Sequence, residues 1–322
     1  MFTIVLIAVV IGGVLLGLRA AAFNASVSSA AFPSSALFGA LGGSERVNVL
    51  MVGYGGGDHD GAYLADSIQI LSIDPATDTT TTIPIPRDLW IEGIAALPEN
   101  GKVNQGFSKG FAEGGIDRAG ALLANLLSDV TGLSIDHWLS IDFAGFRDMV
   151  DAVGGVTIDN PVAFDYTTTE AAHHAGNWNV GGFTAGEIEL DGAHALAYAR
   201  ARYTSVFSES NDFARSVRQA RIMGALRQQL GEGGIGSILP GLRLMDAMEG
   251  RVRTDLSAID LFLLSSHLAT DRRIELSEGP VLTATTNTNG QYILIPTGWT
   301  GAGDYGGLRA YIASQLSATD AP

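Results

Sequence analysis

The sequence predicts an α/β domain of three layers, helices covering both faces of a central mixed β-sheet. Apolar β-branched runs alternate with segments of helical period, several of the runs are apolar enough for buried strands, and Gly or Pro punctuates them. With 322 residues, 46% of them hydrophobic and 16% charged, the chain can build a large core without disulfides, and it has no Cys to make them.

VNVLMVG at 47–53 reads as a central strand that empties into a loop containing Gly55, Gly56 and Gly57. SIQILSID at 67–74 is the next strand. TTTTIPIPRDLW, 79–90, is β-rich, and Pro84 and Pro86, which lack amide donors, place an edge or a strand end there with Arg87 and Asp88 at its exit. GKVNQGFSKGFAEGG, 101–115, reads as a polar loop. Ala119, Leu122, Leu123, Leu126, Leu127 and Val130 then recur at spacings of three and four and predict a helix over 117–130 that Gly132 ends. IDHWLSID at 135–142 is a strand, FAGFRDMVDAV a short helix stopped by Gly154 and Gly155, and VTIDNP is extended.

Residues 161–189, with His173 and His174, are weakly patterned and suit a lid or an insertion. ELDGAHALAYAR predicts a short helix and 212–230 a stronger one, which Asp212 would cap. Beyond residue 236 the pattern gives a helix around 256–268, a turn around 284–290, a strand at QYILIP and a helix near 305–316. The expected organisation is an anchor at 1–23, a linker at 24–44, the main domain at 45–235 and a C-terminal extension, packed on that domain, at 236–322.

Arg19 is the only charged side chain in residues 1–44. The apolar stretch before it, as a helix, would be about 27 Å long, near the thickness of a bilayer's hydrocarbon core. A single transmembrane helix is therefore expected. A cleaved signal peptide, with Ala20, Ala21 and Ala22 as small processing residues, and a buried soluble helix are the competing readings. An N-in orientation would need basic residues before the span, so a cytoplasmic tail ahead of Met1 is expected with it.

The formal charge is −15 and the pI about 4.6, which argues against broad electrostatic capture of nucleic acid. Against that background Arg200, Arg202, Arg215, Arg218, Arg221 and Arg227 fall within 28 residues that contain only Glu209 and Asp212 as acids. Arg215 and Gln219 share a helical face with Arg218 beside them. Guanidinium forks bind phosphoryl oxygens in pairs and stabilise charge as a phosphoester breaks. The plain alternative is a solvated basic helix face. No HExxH, GxSxG or GxxxxGK[ST] pattern offers a rival chemistry.

ADSIQILSID (65–74), IPIPRDLW (83–90), GKVNQGFSKGFAEGG (101–115), TGLSIDHWLSIDFAGFRDMVDAVGGVTID (131–159), ELDGAHALAYARAR (189–202) and DFARSVRQARIMGAL (212–226), in this order, resemble the LytR-CpsA-Psr family of bacterial cell-envelope proteins. The resemblance implies an extracytoplasmic α/β/α domain on one helix in the cytoplasmic membrane. Its activity would be a phosphotransferase, moving a glycopolymer phosphate from a polyprenyl-pyrophosphate carrier to peptidoglycan in cell-wall assembly. A pyrophosphatase and a noncatalytic lipid-binding module of the envelope are the alternatives.

By matching motifs, the resemblance gives Arg87, Arg200, Arg202, Arg215 and Gln219 the pyrophosphate-binding roles, with Arg218 beside them. Asp88 would orient Arg87 or act as a base. Asp66 resembles the family's metal-associated carboxylate, for Mg²⁺ or Mn²⁺. Where many members carry a further aspartate this chain has Gly55, and Asp58, His59 or Asp60 would have to compensate. Implied partners are the lipid-linked donor, peptidoglycan and membrane lipid, and no nucleic acid.

Overall fold

The computed structural model describes residues 16–31, 36–43, 45–165, 182–233, 238–265, 267 and 272–318. Its strands are β1 (Val47–Tyr54), β2 (Ala65–Asp74), β3 (Thr79–Pro84), β4 (Trp90–Ile91), β5 (Gly101–Lys102), β6 (His137–Asp142), β7 (Val156–Asn160), β8 (Gly186–Leu190), β9 (Val252–Thr254), β10 (Arg272–Arg273), β11 (Leu282–Thr286) and β12 (Tyr292–Pro296). The helices are α1 (16–27), α2 (Ala36–Leu41), α3 (Gln105–Thr131), α4 (Phe143–Ala152), α5 (Gly192–Arg200), α6 (Asp212–Gly233), α7 (Ile238–Met248), α8 (Ala258–Ser265) and α9 (Gly306–Ser317).

The central sheet is mixed, as the alternating pattern predicts, with strand order β10-β3-β2-β1-β6-β9. β1 pairs antiparallel with β2 and parallel with β6, and β10 lies parallel to β3. Pro84 ends β3, so its missing donor falls where the ladder stops.

Side chains alternate across a strand, and the two faces meet different helices. Leu50 and Val52 of β1 join Ile68, Ile70 and Ile83 under Leu123, Leu126 and Leu127 of α3, in one cluster with Leu308 and Ile312 of α9. On the other face Val47, Val49, Leu71 and Ile73 pack with Leu37 of α2 and Leu264 of α8. A separate cluster joins Val150 of α4, Ala195 and Tyr198 of α5 and Ile222 and Leu226 of α6 to Val156 and Ile158 of β7.

Several boundaries differ from expectation. The segment expected as a polar loop forms the first half of α3, which kinks at Gly114 and Gly115. Phe107 and Phe111, four apart, supply its apolar face against Tyr54 and Tyr63. Asn211 caps α6, its Oδ1 accepting from Ala214 N at 2.8 Å, and the side chain of Asp212, the expected cap, lies outside what is described. α7 had no counterpart in the pattern. Segment 236–322 supplies both edge strands of the sheet, β9 and β10. The expected lid, with His173 and His174, lies mostly at 166–181, outside the described residues.

The transmembrane helix, and with it the single-pass membrane placement, is corrected. No helix among the described residues is long and apolar enough to cross a membrane. Residues 1–15, most of the expected span, lie outside the described residues. α1 packs on the domain, with Phe23 and Val27, four apart, buried against Val252. The expected linker is likewise part of the fold: Asn24 Oδ1 accepts from Ala258 N at 2.8 Å, Ser29 N donates to Thr254 O, and Leu37 N donates to Asp260 Oδ1 at 3.0 Å.

Candidate active site

Strand alternation and register build the floor of a cavity of about 400 Å³. Ser67, Gly53 and Ile141 form one rung across β2, β1 and β6, and Gln69, Met51 and Leu139 form the next. All six line the cavity, and Phe143 and Phe146 of α4, Leu196 and Ala199 of α5, and Ile222 and Met223 of α6 roof it. Gly53 keeps the floor open, since a Cβ there would already lie 3.2 Å from Ser67 Cβ.

The structure brings Asp66, Arg87, Arg200, Arg202, Arg215 and Gln219 together on this cavity. Arg87 follows the Pro84–Pro86 strand end, and its Nη1 donates to Asp66 Oδ1 at 2.5 Å. Arg200, in the last turn of α5, lies over the Phe143 ring with 4.2 Å from Cζ to its centroid, and Arg202 lies over Tyr203 at 5.6 Å. Arg215 is buried. Gln219 Oε1 accepts from Ser67 Oγ at 2.9 Å and from Gln69 Nε2 at 3.4 Å, which ties α6 to the sheet. Four arginines against Asp66 and Asp142 leave the lining net positive inside a −15 chain, a match for a dianion held beside an apolar tail.

Two sequence candidates stand apart. Asp88 lines neither this cavity nor the smaller recess beside it; it is buried, accepts from Lys102 Nζ at 2.5 Å, and lies 3.9 Å from Arg87 Nε. Of its two expected roles only orienting Arg87 suits that position. Arg218 is 0% exposed and faces away from the cavity. Its Nε donates to Tyr198 O at 3.1 Å, Nη2 to Ala201 O and Nη1 to the Glu209 carboxylate, so it holds the backbone on either side of Arg200. Burial pushes its pKa down, although Glu209 pulls the other way. Helical phase does not tell this residue from Arg215; what packs on each side does.

Asp58, His59 and Asp60 are exposed and line neither opening. Among the described residues no group of three or more His, Cys, Asp or Glu is placed to hold a metal ion. Asp66 supplies a single carboxylate. Mg²⁺ is commonly held by one or two carboxylates with substrate phosphates completing its shell, so Asp66 fits such an ion when phosphate is bound.

Sequence reasoning missed Ser67, Gln69, Phe143, Phe146 and Asp142 as lining residues. Ser67 and Gln69 had a usable signal: they are the polar residues on the same period-two face as Leu71 and Ile73. Asp142 had none. Its carboxylate caps α4 at Gly145 N, and the positive φ of Gly56 lets the glycine loop pass close by, where a Cβ would sit 2.9 Å from Asp142 Cβ.

A floor, a helical roof and an arginine rim to which five of the six motif segments contribute accord with the family match found over residues 22–298. The chain belongs to the LytR_cpsA_psr family. It is 30% identical over 220 residues to a polyisoprenyl-teichoic acid–peptidoglycan teichoic acid transferase TagU of Bacillus anthracis, a match covering 68% of this chain and 63% of that protein. The TagU of Enterococcus faecalis is 28% identical over 224 residues, 69% of this chain and 65% of that one. The crystal structure of TagV from B. subtilis superposes with a TM-score of 0.60 at 22% identity, covering 87% of this chain and 99% of the other. TagT bound to LI-WTA gives 0.60 at 18% identity over 91% and 96%. These structural likenesses show that the family fold is shared.

Proposed function

We propose that this member of the family is a phosphotransferase that moves a glycopolymer phosphate from a polyprenyl-pyrophosphate carrier to a sugar hydroxyl of peptidoglycan. The observation that carries this reading is the joining of a largely apolar cavity of about 400 Å³ to a rim holding Arg87, Arg200, Arg202 and Arg215. A polyprenyl chain needs the first and its pyrophosphate the second. The names of the matched transferases support the same chemistry, and the chain spans 63% of the length of the first of them.

The arginines bind the pyrophosphate and stabilise the charge that develops as its bridge breaks. Phe143 holds the Arg200 guanidinium at the cavity wall, and Asp66 holds that of Arg87. Gln219, fixed by Ser67 and Gln69, offers an amide that is already oriented. The acceptor oxygen bonds to the glycopolymer-linked phosphorus, the bond from that phosphorus to the bridging oxygen breaks, and polyprenyl phosphate departs; the hydroxyl proton passes to solvent. Asp66 would hold Mg²⁺ or Mn²⁺ together with donor oxygens, and such an ion supplies further charge neutralisation. The pyrophosphate is an activated linkage, so no nucleotide is needed.

Incubation with lipid-linked glycopolymer and peptidoglycan tests the reading. Polymer covalently attached to peptidoglycan is expected; release of free phosphorylated polymer alone would make the protein a pyrophosphatase, and retention of intact donor without turnover would make it a lipid-binding module.

A further inference from the structure

Arg273 lies outside the motifs that carry the family resemblance. It sits on the two-residue strand β10, in register with Thr82 of β3, and Ile274 N donating to Thr82 O at 2.9 Å fixes the strand there. From this edge its side chain crosses to α6, where Nη2 donates to Ser216 Oγ at 2.5 Å, beside Arg215. Nε lies 3.4 Å from Glu275 Oε1. Nη1 is buried and has no hydrogen-bond partner among the described residues. A buried guanidinium N–H without an acceptor is costly, and burial lowers the pKa of this group.

Arg273 borders a second opening. A recess of about 30 Å³ is lined by Arg273, Ser216, Glu275, Pro84 and Pro86, and shares Asp66, Arg87, Arg215 and Gln219 with the large cavity. It is too small for a sugar ring and large enough for one oxygen-sized group. An anionic oxygen would satisfy the open donor and offset the charge together, which a neutral hydroxyl does only in part. Arg273 does not line the large cavity, so the oxygen it meets belongs to the part of the ligand farther from the apolar tail.

We propose that Arg273 is a further phosphate-binding residue, holding an oxygen of the phosphoryl group distal to the polyprenyl chain. The proposal rests on the pyrophosphate reading above and adds to it a residue that separates a pyrophosphate from a monophosphate.

Binding of geranylgeranyl pyrophosphate and geranylgeranyl monophosphate, measured by calorimetry on wild type, Arg273→Met and Arg273→Lys, tests it. Arg273→Met is expected to weaken pyrophosphate binding about tenfold or more while monophosphate binding changes by less than about twofold. Arg273→Lys keeps the charge without the fork and should recover part of the loss. Equal losses for both ligands, or none for either, overturn the assignment. Should Arg273→Met fail to fold, Arg273→Lys decides by the same selectivity. Wild-type protein that binds neither ligand overturns the pyrophosphate reading, and this assignment with it; wild-type binding with unaltered variants overturns the assignment alone.

Discussion

Alternate residues of the same strands build two faces of the central sheet that differ in kind. Toward α3, Leu50, Val52, Ile68 and Ile70 meet Leu123, Leu126 and Leu127 in a sealed cluster. Toward α4, α5 and α6, the neighbouring positions are Met51, Gly53, Ser67 and Gln69, and they floor an open cavity. On the sealed side Gly120 lets α3 come so close that a Cβ would lie 2.2 Å from the Trp138 ring. On the open side Gly53 removes bulk from the sheet instead, and the helices carry Phe143, Phe146 and the arginines over the gap. A glycine thus brings two layers into contact in one place and keeps a space between them in the other. A sheet face becomes a binding site when its floor is small or polar and its roof is held off.

The division of labour implies that damage on the two faces should be separable. The largest effect is expected on the open face: Arg215→Ala or Arg87→Ala should lower turnover by about 10²–10³-fold with an unchanged far-ultraviolet spectrum. Turnover within about threefold of wild type would remove these groups from the chemistry. Next, Leu50→Ala should cost about 2–5 kcal/mol in denaturant unfolding while leaving donor affinity intact. A matching drop in affinity would mean that the faces are coupled. Gly120→Ala should cost about 1–3 kcal/mol, because Trp138 must shift to admit the methyl group. No loss of stability would mean that α3 approaches the sheet less closely than described.

The smallest effect concerns His137, which shares the open face of β6 but lies beyond the cavity. Burial, the largest influence on it, lowers its pKa, but the Asp255 carboxylate 3.6 Å from its Nδ1, with the charges of Asp136 and Asp260, raises it to a net increase. A folded-state pKa above the unfolded value favours the protonated fold. That stability is fully present below the unfolded value of about 6.5 and is lost as pH rises through the folded pKa. The difference in melting temperature between wild type and His137→Leu should therefore shrink as pH rises from about 6. A pH-independent difference would exclude proton linkage at this residue.

The family, the mixed α/β sheet and most of the arginine rim were legible in local sequence, because strand period, helix period and motif spacing are local properties. Gln219 and Arg215 four apart, or Arg87 after a proline-closed strand, required no tertiary information. The roles of Asp88 and Arg218 did. Each sits within a motif beside a lining residue, and only the packing shows that Lys102 holds one and that the carbonyls of Tyr198 and Ala201 surround the other. The end of the expected anchor and the start of the expected linker differ from expectation for a related reason: hydropathy cannot distinguish a bilayer from a protein surface, and Phe23 and Val27 meet Val252. What the sequence determined by itself was which chemistry was available, and roughly where along the chain. The tertiary structure decided which of those groups line the cavity, which border the recess beside it and which lie elsewhere, since strand register, the distant edge strand that carries Arg273 and the burial of Arg218 depend on contacts between segments far apart in sequence.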